Sequence, residues 1–542
     1  MDIEQQDIRN LPFSRLFRDY LKGSDNLAPF YSRKHSWEEL TEAVRAFKFH
    51  GDRKKTAQVI ADFNAPFLDD NSRIEELAGI LADENTVTVT TGQQLSLFGG
   101  PLYTVFKTIS VIYFAKKLSQ ETGRRVIPVF WLADEDHDYE EISEIALPAG
   151  GKMKKMELPC STPERHAAGS ILIDKEFESF RRQVFDALQE TDFHEHVTSL
   201  INEAYTPGRT LKDAFALLLS RLFVGHDLVF AGSHFTEAKK LASGCMRKAI
   251  GQVDVIREAL DEQSRKLQDH YHQQVQITDS LFFWHDDEQG RIRLRHENGS
   301  WQIGSGPSMT TKELMTRLDE EPERFSPNVF LRPLIQDTLL PNAAYVAGPA
   351  EIAYYGQMKP VYEIMGMEMP FIAARLSATL VEPNIQRFVI ELPFSFSDYS
   401  GRLEDLEQHY LRKHGAPDLD DQFEDWKKKV EELTGEITEK LAITDPGLQK
   451  HAQAITREHV KAIDKYKKKT VNRLRESEEV QLNRIRKVKT ALFPADKLQE
   501  REIASVYFMN KFGTDIWDRI LAQLDDGNGR TPLFTRHRII KL

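Results

Sequence analysis

From Thr86 the chain alternates polar and apolar positions, TVTVTT, a strand pattern that runs into a turn rich in glycine. From Pro101 the spacing becomes helical and stays so to about Gln120, with proline suited to the first turn. Gly123 ends that helix, and RRVIPVFWLA reads as a second strand of β-branched and aromatic residues. Strand, helix and strand of these lengths make a βαβ crossover, so the two strands are expected to be parallel. The same order returns at HDLVFAGSH (His226–His234) and at NAAYVAGPAEIAYYGQMKPVYEIMG, and MPFIAARLSATL supplies a closing strand. The pattern predicts an α/β class protein with a doubly wound parallel sheet over 86–395, interrupted by insertions near 150–225 and 255–330.

Residues 1–85 read as mostly helical and packed on this core; HSWEELTEAVRAF carries a serine cap with glutamate three residues on. From about Gly401 the composition turns charged and helical. Phe423, Trp426, Val430, Leu433, Ile437 and Leu441 fall three or four apart, TDPGLQ breaks the run at Pro446, and a longer helix then continues to about Leu492. Its seam holds Ile455, Ile463, Tyr466, Leu474, Ile485 and Val488. Two such helices predict an antiparallel coiled-coil hairpin over 396–495, followed by a helical segment, 496–542, that returns to the core.

Composition narrows the function classes. The 542 residues carry a formal charge of −12, which disfavours generic polyanion binding, so nucleic acid is not an expected partner. The basic run KAIDKYKKKTVNRLRE is read as the solvated face of the hairpin. Two cysteines, Cys160 and Cys245, exclude a disulfide scaffold or a four-cysteine zinc site and fit a reducing cytosol. The polar start MDIEQQDIRN shows no leader, and runs such as ISVIYFA are too short to span a bilayer, so a cytoplasmic protein with no membrane partner is expected.

Ligands of parallel α/β sheets bind outside the carboxyl ends of the strands, and four strand ends here are polar. At the first, Gly92, Gly99 and Gly100 let backbone approach a ligand, the Pro101 helix start favours an anion, and Gln93, Gln94 and Tyr103 can contact a sugar or carboxylate. Neither a Walker loop nor GxGxxG is present, and a tight structural turn explains the glycines equally. At the second, Asp134, Glu135, Asp136, His137 and Asp138 follow an apolar strand; His137 beside carboxylates suits a general base, a divalent metal is the alternative, and a hydrated acidic loop is the plainer reading. At the third, Gly348 makes a turn before Glu351, Tyr354 or Tyr355, and Gln357, where the helix dipole alone would favour the acid. At the fourth, Arg375 and Ser377 offer a cation and a hydroxyl to a phosphate or carboxylate. No metal ligand set is assigned.

Four longer blocks carry a resemblance. TGQQLSLFGGPLYTVFKTIS, PVFWLADEDHDYEEI, SPNVFLRPLIQDTLLPNAAYVAGPAEIAYYGQMKPVYE and LQEREIASVYFMNKFGTDIWDRI, in that order after LPFSRLFRDYL, resemble the signature blocks of the BshC family, the cysteine ligases of bacillithiol synthesis. The likeness runs over essentially the whole chain. It implies that cysteine is joined through its carboxyl group to the amine of glucosaminyl malate. It also implies a Rossmann-like sheet similar to class I aminoacyl-tRNA synthetase cores, two connecting-peptide insertions, and a coiled coil that mediates a homodimer. Three departures are visible. The chain has neither a His-x-Gly-His turn nor a Lys-Met-Ser-Lys-Ser loop, its two cysteines form no zinc-thiolate site, and Ala374 stands before Arg375 where proline is expected.

Joining a carboxylate to an amine in water is uphill, so the resemblance implies ATP as the activating agent. In that scheme Gly92, Gln93, Gln94 and the Gly99-Gly100-Pro101 turn hold one substrate, and Asp136 or His137 takes the proton of the amine. Arg375 and Ser377 stabilise developing charge, and Glu351 and Gln357 contact amino or sugar groups. A nucleotide, ATP or ADP, is alternatively placed at the coiled-coil root near Asn384 and Ala491. The competing readings are a synthetase-derived protein that associates with tRNA and a coiled-coil scaffold with a degenerate core.

Overall fold

The computed structural model describes residues 1–68, 72–136, 138–149, 151–159, 166–415, 419–524 and 533–542. Two compact units are present. The first comprises Met1–Ala149, Lys154–Thr379 and Gln499–Ile540, and the second Gly150–Met153, Leu380–Leu498 and Lys541–Leu542.

The first unit is built on five parallel strands: β1 (Thr86–Gln94), β2 (Arg125–Ala133), β3 (Val229–Gly232), β4 (Asn342–Ala347) and β5 (Phe371–Ala374). Their spatial order is β5-β4-β1-β2-β3, so the chain winds outward on one side of β1 and then returns to build the other. The first crossover is α1 (Leu102–Thr122), buried almost all round and packed on β1 and β2. Gly123 ends it in the left-handed conformation at φ +71°, as the turn residue requires. The threonines of β1 are buried together with its valines, because elements cover both faces of a parallel sheet. Thr91 Oγ1 donates to the Val346 carbonyl at 2.8 Å.

Two expected elements differ. The closing strand of MPFIAARLSATL is split: β5 ends at Ala374, Arg375–Ser377 leave the sheet, and a new strand occupies Ala378–Val381. The segment from β3 to β4 holds a five-stranded antiparallel sheet that alternation alone did not reveal. Its strands are Phe282–Asp286, Gly290–Glu297, Ser300–Ile303, Ser308–Thr310 and Phe325–Pro327, and several are too short to show a period. The helix following β3 is α2 (Thr236–Gly251), and the one following β4 is α3 (Pro349–Tyr355).

In the second unit α4 (Leu419–Thr444) and α5 (Pro446–Ser477) run antiparallel, with Lys427–Asp464 at 2.5 Å and Lys467–Asp420 at 2.8 Å. Asp445 starts α5 by accepting the Gly447 N–H at 2.7 Å. Phe423 and Ile463 are buried in the seam, but Trp426, Leu433, Ile437, Ile455 and Tyr466 are exposed on this single hairpin. Two helices cover only one side of each other's apolar face. Among the described residues no helix is long and apolar enough to cross a membrane.

The β1–α1 turn strings together three residues at positive φ: Phe98 (+50°), Gly99 (+87°) and Gly100 (+71°). A Cβ on Gly100 would stand 2.7 Å from Ser96 Cβ and 2.9 Å from Thr104 Oγ1. Gly100→Ala is therefore expected to lose about 1–3 kcal/mol, read as a lower thermal midpoint; an unchanged midpoint would show that the turn relaxes.

Candidate functional site

The reversal of strand order places a topological switch point between β1 and β4, where the carboxyl ends of neighbouring strands splay apart. A cavity of about 340 Å³ lies there. Gly92, Gln93 and Gln94 line it from β1, Trp131 and Ala133 from β2, Tyr345 from β4 and Gly348 from the turn that follows β4. Tyr103 and Lys107 reach it from α1, Glu351 and Tyr354 from α3, and Arg332, Arg375 and Arg501 complete the wall. Polar tips that are far apart in sequence thus meet in one concave space.

Lys107 is a buried cation of this cavity. Its Nζ contacts Glu351 Oε2 at 2.6 Å, the Gly92 carbonyl at 2.6 Å and Gln93 Oε1 at 3.0 Å. Burial pulls the ammonium below its ordinary pKa, and the Glu351 charge opposes that shift. Glu351 also accepts from Tyr345 OH and from the Gly348 N–H, both at 2.7 Å. The dipole reading of Glu351 was therefore incomplete, because this carboxylate also ties β4 to the lysine of α1.

Arg375 is held from behind. Its Nη2 meets Glu500 Oε1 at 2.7 Å and its Nη1 donates to the Leu376 carbonyl at 2.6 Å. Glu500 takes further donors from Ser377 Oγ at 3.1 Å and the Ala378 N–H at 2.9 Å. Burial alone would raise the Glu500 carboxyl, but Arg375, His537 and the backbone donor outweigh it and hold it below the usual range. His537 bridges Ser377 Oγ (2.8 Å) and Thr379 Oγ1 (2.9 Å), and burial pulls its imidazole down to about 4. Arg332 lines the cavity with hydrogen bonds to two neutral groups, Gln336 Oε1 at 3.0 Å and Tyr354 OH at 3.3 Å. Beside it Asp337 is pushed up to about 6 by burial, against hydrogen bonds from Tyr362 and Asn342. An Arg332 fork so placed suits an anionic ligand.

The acidic segment divides. Asp134 is fully buried and accepts the Ser233 and His234 N–H groups at 3.2 and 3.1 Å; burial raises its carboxyl, and it lines neither of the cavities described here. Asp136 accepts from Gln94 Nε2 at 2.7 Å and lies 3.9 Å from Arg291. It lines a second cavity of about 340 Å³ that shares Trp131, Ala133, Val329 and Arg332 with the first. Asp138 is exposed and lines neither cavity. His137, the expected general base, lies outside the described residues, as does Cys160.

Four other expectations move away from the cavity. Gly99 and Gly100 pack against Ser505, Ser96 and Thr104, so their role is the turn itself. At the start of α1 the Leu102 N–H is taken by the Ile503 carbonyl at 3.0 Å and the Thr104 N–H by the Pro101 carbonyl at 2.9 Å. Gln357 is buried and bonds Ser264 at 2.8 Å and the Val275 carbonyl at 3.0 Å. Ser377 supports Glu500 instead of facing a ligand. In the second unit Asn384 is exposed, its Oδ1 near the Ile385 N–H at 2.9 Å, and Ala491 is half-buried on the neighbouring helix Glu479–Leu492. Sequence reading missed Lys107, Arg332 and Arg501. Lys107 was signalled by one lysine inside the largely apolar LYTVFKTISVIYFA, and no comparable signal marks Arg332 or Arg501.

Comparison with known proteins adds two family matches. Residues 1–376 match the family described as bacillithiol biosynthesis BshC, N-terminal Rossmann-like domain, and 378–542 match its C-terminal coiled-coil domain. A Salinibacter ruber relative named cysteine ligase BshC is 32% identical, the match covering 93% of each chain. Relatives of the same name from Koribacter versatilis and Bacillus cytotoxicus are 30% and 29% identical, covering 98% of this chain and 97% and 99% of theirs.

The buried His537 sets a pH response. Its folded pKa, about 4, lies below the ordinary 6.5, so the stability from keeping it neutral is present above 6.5 and is lost as pH falls towards 4. At about 1.4 kcal/mol per pKa unit the loss reaches roughly 3 kcal/mol. The thermal midpoint should fall across that window, and less steeply in His537→Gln; equal slopes would remove His537 as the cause.

Proposed function

The chain belongs to the BshC family of bacillithiol biosynthesis, and from that premise we propose that the switch-point cavity joins L-cysteine to glucosaminyl malate, the last step of the pathway. The convergence of Lys107, Glu351, Arg332 and Arg375 on one cavity carries this reading. Its size is within the range of small-molecule sites. An amide-forming ligase needs a place for a carboxylate beside a place for an amine. Arg332, with neutral hydrogen-bond partners, offers a fork for a carboxylate or phosphate, and Arg375 is pre-oriented by Glu500 for charge that develops during acyl transfer. Glu351 offers the anionic partner of an ammonium, and the amides of Gln93 and Gln94 suit hydroxyls.

In the proposed reaction ATP activates the carboxyl group of cysteine. The acceptor amine, unprotonated, attacks the activated carbon; the new C–N bond forms as the activating group departs, and the nitrogen gives up one proton. Asp136 stands at the border of the two cavities and is our candidate to receive it. The same premise extends the likeness to class I synthetase cores, with 150–225 and 255–330 as connecting insertions. The protein would work in the cytosol. A nucleotide near Asn384 and Ala491 is a further proposal, supported so far by the family likeness alone.

The exposed Trp426, Leu433, Ile437 and Tyr466 support a homodimer formed through the hairpin, since apolar residues on one coiled-coil face gain by meeting a second copy. Leu433→Glu with Ile437→Glu should halve the mass seen by light scattering; a wild-type chain that is already monomeric would sink this assembly.

Cells lacking the gene should lose bacillithiol and accumulate glucosaminyl malate, measured as labelled thiols and by mass spectrometry. Retention of bacillithiol would refute the assignment. Purified Arg332→Met should fall about 10²–10³-fold in kcat/KM if its fork holds a substrate anion in the transition state, with an unchanged far-ultraviolet spectrum. Full activity would take Arg332 out of the site.

A further inference from the structure

Beside the second cavity three potential ligands meet from three separate parts of the chain. Glu135 leaves β2, His234 follows β3, and His285 sits on the strand Phe282–Asp286 of the antiparallel sheet. One ligand atom from each lies within 4.8 Å of the others. We propose that Glu135, His234 and His285 bind a divalent first-row transition-metal ion of the zinc class.

Two imidazoles and one carboxylate form a donor set suited to zinc and its neighbours, and unsuited to calcium or magnesium, which prefer oxygen throughout. His285 Nε2 is buried, makes no hydrogen bond, and stands 3.5 Å from Glu135 Oε1. A buried polar nitrogen without a partner is costly, and a metal would use its lone pair. His234 Nε2 lies 2.9 Å from Ser170 Oγ. When that nitrogen carries the proton, Ser170 orients the ring and leaves Nδ1 as a lone pair, the usual support of a ligating histidine. Glu135 lines the cavity that holds Asp136 and Arg291, so water or a cavity ligand can supply the remaining coordination positions.

Glu135 also pairs with the buried Lys239 ammonium and accepts from Ser233 Oγ. A carboxylate has roughly four lone-pair sites, so these contacts leave room for an ion, but the neighbouring ammonium repels it. Lys239 therefore lowers the affinity of the site, and its removal should raise it.

Binding is read without turnover, so the test is independent of the ligase reading. Full-length protein freed of metal with a chelator is titrated with ZnCl2 by calorimetry and with CoCl2 by visible absorption. One equivalent per chain is expected, with the intense d–d bands of low-coordinate cobalt. His234→Ala and His285→Ala should each weaken zinc at least about 100-fold, Ser170→Ala about 10–100-fold, and Lys239→Met should tighten it. Circular dichroism checks that each variant folds, and the exposed Ser170 keeps the test open if a histidine variant does not. Absence of zinc binding by the wild-type chain, or equal affinity in Ser170→Ala and in the folded histidine variants, would overturn the site.

Discussion

An ammonium group carried into a protein interior must find its acceptors there, and Lys107 finds three: the Gly92 carbonyl, the Gln93 amide oxygen and the Glu351 carboxylate. These belong to the end of β1 and the start of α3, the two sides of the switch point. A parallel sheet opens a crevice where its winding reverses, but it does not set the crevice's width. The charged pair, continued through Tyr345 OH to Glu351, holds the two sides at hydrogen-bonding distance while leaving space above. An apolar residue at 107 would leave Glu351 as an unpaired acid at the cavity floor, an expensive state for a group mostly removed from water.

The second constraint enters from the far end of the chain. The segment 499–505 runs beside the β1–α1 turn, giving the Ile503 carbonyl to the Leu102 N–H and taking the Gly100 carbonyl with the Ser505 N–H. The same segment brings Glu500 behind Arg375 and Arg501 into the cavity wall. One short stretch therefore occupies the Leu102 N–H at the helix start and orients a cation of the cavity wall. The cavity wall presents arginine side chains, whose forks carry full charge and a fixed geometry. The cavity is in this sense assembled from residues between 92 and 501, and no single motif contains it.

The parallel core was legible because each of its elements is long and regular. TVTVTT, RRVIPVFWLA and the helix between them follow clear periods, and Gly123 closes the helix for a reason visible in one residue. Of the five strands around Phe282–Pro327, four have only three to five residues and cannot establish a period against neighbouring loops, and the eight-residue Gly290–Glu297 lay in a segment read only as an insertion. Gln93, Gln94, Glu351 and Arg375 line the cavity as expected, because polar residues at the ends of buried strands have to meet something polar. Gln357 and Ser377 met that same rule, yet their partners proved to be Ser264, Glu500 and His537, packed inside the protein.

By itself the sequence determined the winding of the core, the hairpin, and the strand ends at which polar chemistry had to lie, because these follow from local periodicity and from the cost of burying polar groups. Its longer blocks also pointed to a family. Only the tertiary structure decided which polar residues share a cavity and which merely satisfy one another. It alone brought Glu500 to Arg375 across 125 positions and Glu135, His234 and His285 together from three segments. Pairing of charges depends on distances in space, and local sequence carries no record of those distances.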